Sequence, residues 1–320
     1  MEISLVFGPV PSRRLGRSLG INHIPPKTCT YACVYCQLGR TSRLQIDRQA
    51  FYAPKAIVDA VMAKLEVLKQ TGEGVDYLTL VPDGEPTLDA ALGELLLRLK
   101  SPGIPLAVIT NGSLLWRPEV REALLQADWV SVKVDAVDQA VWHRVDRPHG
   151  GLHMASVLDG VCAFAEVFAG KLVTETMLVA GVNDAEAVLI ATGDFVGTLR
   201  PACAYLSIPT RPPAESWVHP PDEAALTRAY QIFVNRVPHV EYLIGYEGNA
   251  FVATGDAAAD LLSITAVHPM REDAVQELLL RSGEEWAVVQ DLIDAGLLVQ
   301  TTYGGSRFYV RALHGCSSPE

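Results

Sequence analysis

Apolar residues over the first 240 positions follow two alternating patterns, short apolar runs and longer stretches with apolar residues at helical spacing. The predicted strands are 18–24, 75–81, 106–109, 129–134, 172–179 and 204–208. The predicted helices are 54–70, 88–99, 118–126, 155–168, 184–199 and 221–234. Repeated strand–helix units indicate a parallel sheet with right-handed crossovers. Because six units are fewer than the eight of a closed barrel, we expect an α/β fold, a partial (βα)6 TIM-type barrel over residues 1–247.

The last sixty residues have a different pattern. Helical spacing is predicted over 256–267, 270–280 and 284–295, followed by short strands at 297–302 and 307–313 around a Gly304-Gly305 turn. Three helices and a β-hairpin predict a winged-helix domain over 256–320, with 248–255 as a linker.

Three cysteines form the most informative motif. Cys29, Cys33 and Cys36 lie in the run CTYACVYC, after the stiff Pro25-Pro26 pair. Thiolates bind iron–sulfur clusters or zinc, and a structural site of either kind normally has four protein ligands. Three ligands leave one coordination position open. The alternatives are a zinc site completed by a distant histidine, and three buried cysteines with no ligand.

The other cysteines match no ligand motif. Cys162 and Cys203 are interpreted as core residues, because free cysteines are often simply buried, and Cys316 as an idle residue in a polar tail.

The net charge of −11 is unevenly distributed. Residues 1–55 contain eight Lys and Arg residues against Glu2 and Asp47, an excess of +6. This excess either attracts an anionic ligand or nucleic acid, or is ordinary surface arginine. We predict no membrane-spanning helix and no signal peptide, and therefore a cytoplasmic protein in which thiols stay reduced.

Polar residues gather where predicted strands end, which is where ligands bind in such sheets. Asp83-Gly84-Glu85-Pro86 follows the second strand, and Asn111 ends the third. Ser131, Lys133 and Asp135 share one face of the fourth strand, as either a ligand site or an internal Lys–Asp pair. Glu175 is a weaker candidate on the fifth strand, with Thr174 and Thr176 on the other face. Residues 143–148 are predicted to be a charged loop.

The cysteine spacing, with Tyr35 before the last thiol, resembles that of the radical S-adenosylmethionine (SAM) superfamily. The runs GPVPSRRLGRSLG (8–20) and CVYCQLGRT (33–41) resemble a bacterial and archaeal branch related to wybutosine-synthesis enzymes, which modify tRNA. The resemblance implies a [4Fe–4S] cluster on the three cysteines. It also implies SAM at the open iron, with contacts from Tyr35, Gly84, Glu85, Asn111, Lys133 and Asp135.

The resemblance further implies a reaction. A low-potential donor of the flavodoxin or ferredoxin type reduces the cluster, SAM is cleaved, and a 5′-deoxyadenosyl radical abstracts hydrogen from a substrate. Wybutosine-type enzymes carry additional cysteines for a second cluster, and this chain has none upstream of Cys29. We therefore do not extend their pyruvate chemistry to it.

The substrate is left open among RNA, peptide, protein and small molecules. DNA is not expected, because the predicted groove helix 284–295 has four acidic residues and no basic one. The alternative function is an iron–sulfur redox-sensing regulator that uses the winged helix to read DNA, and a zinc-binding module is a third.

Overall fold

The computed structural model describes residues 5–244, 251, 253 and 255–312. The strands are β1 (Val6–Ser12), β2 (Gly16–Ile21), β3 (Thr28–Cys29), β4 (Arg43–Leu44), β5 (Tyr77–Leu80), β6 (Leu106–Thr110), β7 (Trp129–Lys133), β8 (Lys171–Met177), β9 (Cys203–Ser207), β10 (Val240–Leu243), β11 (Met270–Arg271), β12 (Leu298–Tyr303) and β13 (Ser306–Arg311). The helices are α1 (Pro54–Gln70), α2 (Leu92–Leu99), α3 (Pro118–Leu124), α4 (Gln139–Val145), α5 (Met154–Val167), α6 (Glu186–Thr198), α7 (Glu223–Val234), α8 (Ala257–Thr265), α9 (Glu272–Ser282) and α10 (Ala287–Asp294). None of these described helices combines the length and apolarity needed to cross a bilayer.

The main sheet has eight strands in the order β1-β2-β5-β6-β7-β8-β9-β10. All pair in parallel except β1 with β2, which are antiparallel. The α/β class and all six predicted strands are confirmed, but the count of six was too low. β1 was missed because it contains Pro9 and Pro11, which are tolerated there because β1 is an edge strand. β10 was missed because its short run contains the charged, exposed Glu241.

The sheet curls so that its two faces have different partners. Alternate residues point to opposite faces of a strand. Leu78, Val108 and Val130 pack with the helices in the largest apolar cluster. Trp129 and Tyr205 face the inside with a smaller cluster. Side chains from β2 and from β5 through β10 line one internal cavity, so the sheet forms a partial barrel.

The C-terminal segment forms a second, smaller core. Helices α8, α9 and α10 pack with an antiparallel sheet of order β11-β13-β12, around Phe251, Leu261 and Tyr309. The three predicted helices and the hairpin are present, and β11 was not predicted. Val10 of the barrel packs against this core, and Lys64 Nζ lies 3.9 Å from Asp260 Oδ1. The division at 247 and 256 stays a prediction. The proposed 248–255 linker, for the most part, and Cys316 lie outside the described residues.

The prediction of a loop over 143–148 was wrong in its first half. Residues 143–145 form the last turn of α4, whose N-cap Asp138 accepts a hydrogen bond from the Val141 amide at 2.9 Å. The helix has only seven residues, too few to show a helical period in the sequence.

We predict that Gly160→Ala destabilises the barrel by about 1–3 kcal/mol, the usual cost of overpacking. A Cβ at Gly160 in α5 would lie 2.2 Å from the Trp116 nitrogen and 2.5 Å from the Leu115 carbonyl carbon, which are backbone atoms with little freedom to move. Urea unfolding measures the change. Gly150→Ala is the matched control, since nothing lies within 4 Å of its Cβ. Equal unfolding midpoints for the two variants would contradict the packing argument.

Candidate active site

The cysteine loop is fixed by backbone hydrogen bonds on two sides. Lys27 N donates to Asp83 O at 2.7 Å, on the side of the second-strand turn. Val34 N donates to Val145 O at 3.0 Å, and His149 N to Thr30 O at 2.9 Å, on the side of α4. The three thiols are therefore carried by an irregular segment whose position is set by its neighbours.

The thiols lie in a desolvated setting. Burial, and then the Glu85 carboxylate, raise the pKa of Cys29 to about 12. Burial and Asp146 also raise the pKa of Cys33, whose Sγ lies 3.4 Å from Asp146 Oδ1. Such thiols become thiolates when a bound metal supplies positive charge.

The donor set fits an iron cluster with three protein ligands. The Asn111 Nδ2 group lies 3.7 Å from Cys29 Sγ, in position to donate a weak hydrogen bond to a sulfur ligand. Within the described residues, no three His, Cys, Asp or Glu side chains are gathered around a point where one metal ion could bind. A cubane cluster differs from a single ion, because each thiolate binds a different iron atom.

Glu85 ties the second and third strand ends together. Its Oε1 accepts from the Thr87 amide at 3.0 Å, the Thr87 hydroxyl at 2.6 Å and the Thr110 hydroxyl at 2.5 Å. Its Oε2 accepts from the Asn111 amide at 2.8 Å. The prediction that this turn binds the SAM amine stays a prediction. Glu85 is 1% exposed, and both of its carboxylate oxygens accept hydrogen bonds from the protein.

Gly84 is required by close packing. A Cβ at this position would lie 1.9 Å from the Thr28 carbonyl oxygen, and the next amide, Glu85 N, donates to that same oxygen at 3.1 Å. The turn therefore packs directly against the strand that carries Cys29. This close approach alone requires a glycine at position 84, whether or not a ligand binds there.

Tyr35 and Asp135, both predicted cofactor contacts, meet each other. The Tyr35 hydroxyl donates to Asp135 Oδ2 and lies 3.4 Å from Asp146 Oδ1. Asp135 Oδ1 accepts from the Met177 amide at 2.7 Å. Burial and the neighbouring Asp135 raise the pKa of Asp146. Asp146 was predicted only as one charge of the 143–148 loop, and its place beside Cys33 and Tyr35 was not predicted.

Lys133 forms a buried charge cluster with Glu175 and Arg14. Glu175 accepts from Lys133 Nζ at 3.2 Å, from Arg14 Nη1 at 2.5 Å and from the Ser207 hydroxyl at 3.0 Å. Burial alone would raise the pKa of Glu175, but Lys133 and Arg14 lower it. Glu175, which the sequence analysis ranked as a weaker candidate, thus joins all the other members of this buried cluster. Arg14 was missed because the β1–β2 hairpin that delivers it was not recognised.

The inner side of the barrel encloses a cavity of about 350 Å³. Its lining includes the charged residues Arg14, Lys133 and Glu175 and, from the cysteine loop, Tyr35, Cys36 and Gln37. Lys133 Nζ lies 4.8 Å from the centre of the Tyr35 ring. Asn111, Glu85 and Asp135 do not line it. Ser131 points inward from β7, and its hydroxyl has no partner among the described residues.

The C-terminal segment closes part of this cavity. Gln37 Nε2 donates to Val267 O at 3.2 Å, and Arg211 Nη1 donates to Gln37 Oε1 at 3.1 Å. Arg211 Nη2 also lies 2.9 Å from His268 Nε2. Since guanidinium only donates, that histidine nitrogen accepts. Val267 thus contacts the residue that follows the third cysteine directly, and His268 is joined to it through Arg211.

Residues 24–192 match the model of the radical SAM superfamily. That match covers more than half of the chain, so the protein belongs to the radical SAM superfamily and is an enzyme of that class. A UPF0026 protein of Methanocaldococcus jannaschii is 42% identical over 311 residues, covering 97% of this chain and 96% of that protein. The predicted superfamily is confirmed.

Two solved structures share the fold. A radical SAM methyltransferase from Sphaerobacter thermophilus aligns with a TM-score of 0.55 at 15% identity, covering 71% of this chain and 66% of that one. TYW1 with a lysine-pyruvate adduct bound aligns with a TM-score of 0.51 at 15% identity, covering 69% and 74%. At this identity the likeness concerns the fold alone.

We predict that Asp83→Asn stabilises the protein at pH 8 but not at pH 4.5. Burial raises the pKa of Asp83 to about 7, although the charge of Lys27 and the Asn22 side chain oppose the shift. A raised native pKa means that the folded state binds more protons, so this carboxyl lowers stability as pH rises from about 4 to about 7.

The expected gain at pH 8 is up to about 4 kcal/mol, from about three pKa units. Urea unfolding at the two pH values measures it. Asp59→Asn, which changes an exposed carboxylate, serves as the control. A gain for Asp83→Asn that is the same at both pH values would contradict this assignment.

Proposed function

We propose that this protein reductively cleaves SAM at a [4Fe–4S] cluster held by Cys29, Cys33 and Cys36, and uses the resulting radical to abstract hydrogen from a substrate. The observation that carries the proposal is the fixed cysteine loop at the mouth of a partial barrel, with Cys36 lining a cavity that also contains Lys133 and Glu175. The superfamily match supports the same chemistry.

When bound, the reduced cluster supplies one electron to the sulfonium of SAM, which breaks the bond to the 5′-carbon. The protein's own residues provide the setting. The hydrogen-bonded loop fixes the three sulfur atoms, and the cavity walls keep water away from a reactive species. Asn111 Nδ2 donates toward Cys29 and would temper the charge on that sulfur.

For SAM itself, we propose contacts from the residues predicted by the resemblance, in roles adapted to the geometry. Lys133, inside the cavity, suits a carboxylate. The backbone of the Gly84–Glu85 turn suits the amine. The Tyr35 hydroxyl already donates to Asp135 Oδ2, so a ribose hydroxyl of SAM would have to donate to Asp135 alongside Tyr35.

Pyruvate chemistry through a lysine adduct is not part of the proposal. Lys133 is the one lysine among the described residues that line the cavity. Burial would lower its pKa, but Glu175 and Asp135 raise it. This pairing disfavours the neutral amine that attack on a carbonyl group needs.

The C-terminal segment has the helix and strand order of a winged helix, and we propose that assignment for residues 256–320. Its third helix, α10, has Asp291 and Asp294 exposed, which supports neither DNA binding nor the alternative of a DNA-reading regulator. Its contact with Gln37 supports a role at the mouth of the barrel. An RNA, a peptide or a protein is the proposed substrate class.

We predict that the anaerobically reconstituted protein, reduced with dithionite, converts SAM to 5′-deoxyadenosine and methionine. Cys29→Ala should lower the rate at least 100-fold, since the thiol is a ligand. Cys162→Ala is the matched control, because Cys162 lies half-buried in α5, outside the cavity. Chromatography of the products measures both rates.

Iron and zinc analysis with visible absorption accompanies the assay. Wild type and Cys29→Ala giving equal 5′-deoxyadenosine, or a colourless protein that contains zinc and no iron, would refute the proposal. The zinc result would favour the binding-module alternative.

A further inference from the structure

The turn between β1 and β2 brings two consecutive arginines to the wall of the cavity. Arg13 and Arg14, together with the preceding Ser12, are here called the hairpin cluster, and all three line the cavity. Ser12 pairs with Gly16 at the end of the antiparallel β1–β2 ladder, and its Oγ accepts from the Leu15 amide at 3.3 Å. The turn that carries both arginines is therefore closed by a strand pair and by a side-chain hydrogen bond.

Arg14 is held in place, but the protein uses only part of its donor capacity. Its Nη1 donates to Glu175 Oε2 at 2.5 Å, and its guanidinium lies 5.9 Å and 5.8 Å from the ring centres of Trp129 and Tyr205. Its Nε has no acceptor among the described residues. These contacts fix the direction of the side chain, while Glu175 is shared with a second cation, Lys133.

Arg13 carries a charge that the described part of the protein does not use. Its side chain is exposed beside the cavity, and no described residue holds it by a hydrogen bond or an ion pair. Asp76, an acid that packs against the same hairpin, is taken by Arg17, whose amide donates to Asp76 Oδ2 at 2.7 Å and whose Nη2 lies 3.3 Å from Oδ1. Arg13 is therefore available to a molecule that enters the cavity.

Positive charge exceeds negative charge in the cavity wall. Among the described residues that line it, Glu175 is the one acid, against Arg13, Arg14 and Lys133. Arg211 lines the cavity too, but its guanidinium already donates to two neighbouring side chains. The whole chain has a net charge of −11, so the charge of the cavity is opposite in sign to that of the protein. Such a local excess favours an anionic ligand.

The carboxylate of SAM accounts for only part of this excess. SAM has a single carboxylate, and Lys133, which lies 4.8 Å from the centre of the Tyr35 ring in the cysteine loop, is its proposed partner. The arginines of the hairpin cluster then remain for a second molecule in the same cavity.

We propose that the hairpin cluster binds a phosphoryl group of the substrate. The inference rests on the proposed function, because it takes the cavity beside the cysteine loop as the place where SAM and substrate meet. Guanidinium groups match phosphate oxygens in both charge and geometry, and the Ser12 hydroxyl adds a further donor. Because Cys36 lines the same cavity, a substrate held by its phosphoryl group shares that cavity with the third cysteine.

Two adjacent arginines favour a phosphoryl group over a carboxylate. The two oxygens of a carboxylate lie in one plane and are satisfied by the fork of a single guanidinium. The terminal oxygens of a phosphoryl group diverge from a tetrahedral phosphorus, so two guanidiniums can each bind a different oxygen. The hairpin cluster supplies these two guanidiniums from consecutive residues, Arg13 and Arg14. The substrate class therefore narrows to phosphate-bearing molecules, either RNA or a phosphorylated small molecule.

The test uses the reconstituted holoprotein with saturating SAM and no reductant, so that SAM stays intact in its own site. Calorimetry measures the dissociation constants of ribose 5-phosphate and of ribose, which differ only in the phosphoryl group, and of succinate, which carries carboxylates. The variant is Arg13→Gln. Arg228→Gln is the matched control, because Arg228 is exposed on α7, is likewise held by no described residue and lies outside the cavity.

We expect the wild type to bind ribose 5-phosphate at least about tenfold more tightly than ribose or succinate. Arg13→Gln should raise the dissociation constant of ribose 5-phosphate about tenfold, since it removes a charge-assisted hydrogen bond, and Arg13→Lys should fall between the two, since it keeps the charge without the fork. Arg228→Gln should bind like the wild type. The urea midpoint of Arg13→Gln should equal that of the wild type, because no described residue depends on Arg13.

A dinucleotide of RNA, whose single phosphate is a diester, distinguishes the two sources of the phosphoryl group. Binding of the dinucleotide that depends on Arg13 would support an RNA backbone as the source. Dependence on Arg13 for ribose 5-phosphate alone would support a phosphomonoester.

Equal dissociation constants of ribose 5-phosphate for the wild type, Arg13→Gln and Arg228→Gln would overturn the proposed subsite. So would a wild type that binds neither phosphate probe. Succinate bound as tightly as ribose 5-phosphate would overturn the phosphoryl assignment in favour of a carboxylate. Failure of the wild type to cleave SAM with dithionite is a different result, since it contradicts the proposed function, whereas the binding comparison still decides the subsite.

Discussion

Of the backbone contacts that fix the cysteine loop, the closest packing is between the Gly84 turn and the carbonyl of Thr28. An irregular loop has no internal hydrogen-bond ladder, so its place must be set by neighbours. Here the Thr28 oxygen accepts from Glu85 N at 3.1 Å, and the absence of a side chain at Gly84 makes that approach possible. Glu85 then ties this turn to the third strand end through Thr110 and Asn111. The positions of the three thiols therefore depend on this series of contacts.

The barrel interior follows from a second constraint, the cost of buried charge. Glu175, Lys133 and Arg14 come from two strands and a hairpin, and each is at least four-fifths buried. A buried ion is tolerated when it is paired and hydrogen-bonded, and Glu175 has two cations and the Ser207 hydroxyl. The guanidinium of Arg14 also lies about 5.9 Å and 5.8 Å from the ring centres of Trp129 and Tyr205. The result is a preformed charged cluster in the wall of the cavity.

The features that the sequence predicts well are those set by a local pattern of residues. The six strands and their helices have clear periods, and the cysteine spacing is local by nature. The inward direction of Glu175 follows from alternation along β8 alone. What it does not reveal depends on long-range placement. Arg14 reaches Glu175 across 161 residues through a proline-rich hairpin, and Glu215 reaches Arg40 across 175. No spacing rule connects such residues.

Glu85 belongs to the predicted D-G-E-P motif, but its carboxylate holds the protein's own backbone and hydroxyl groups. The pattern D-G-E-P is explained by the fold itself, since each oxygen of Glu85 is already used and Gly84 is fixed by contact with Thr28. A ligand that binds this turn therefore meets backbone groups held rigid by a buried carboxylate. The same reasoning applies to Gln37, whose amide is shared between Val267 and Arg211. Because Gln37 directly follows Cys36, these hydrogen bonds place Val267 of the C-terminal segment next to the residue that carries the third thiol's neighbouring peptide.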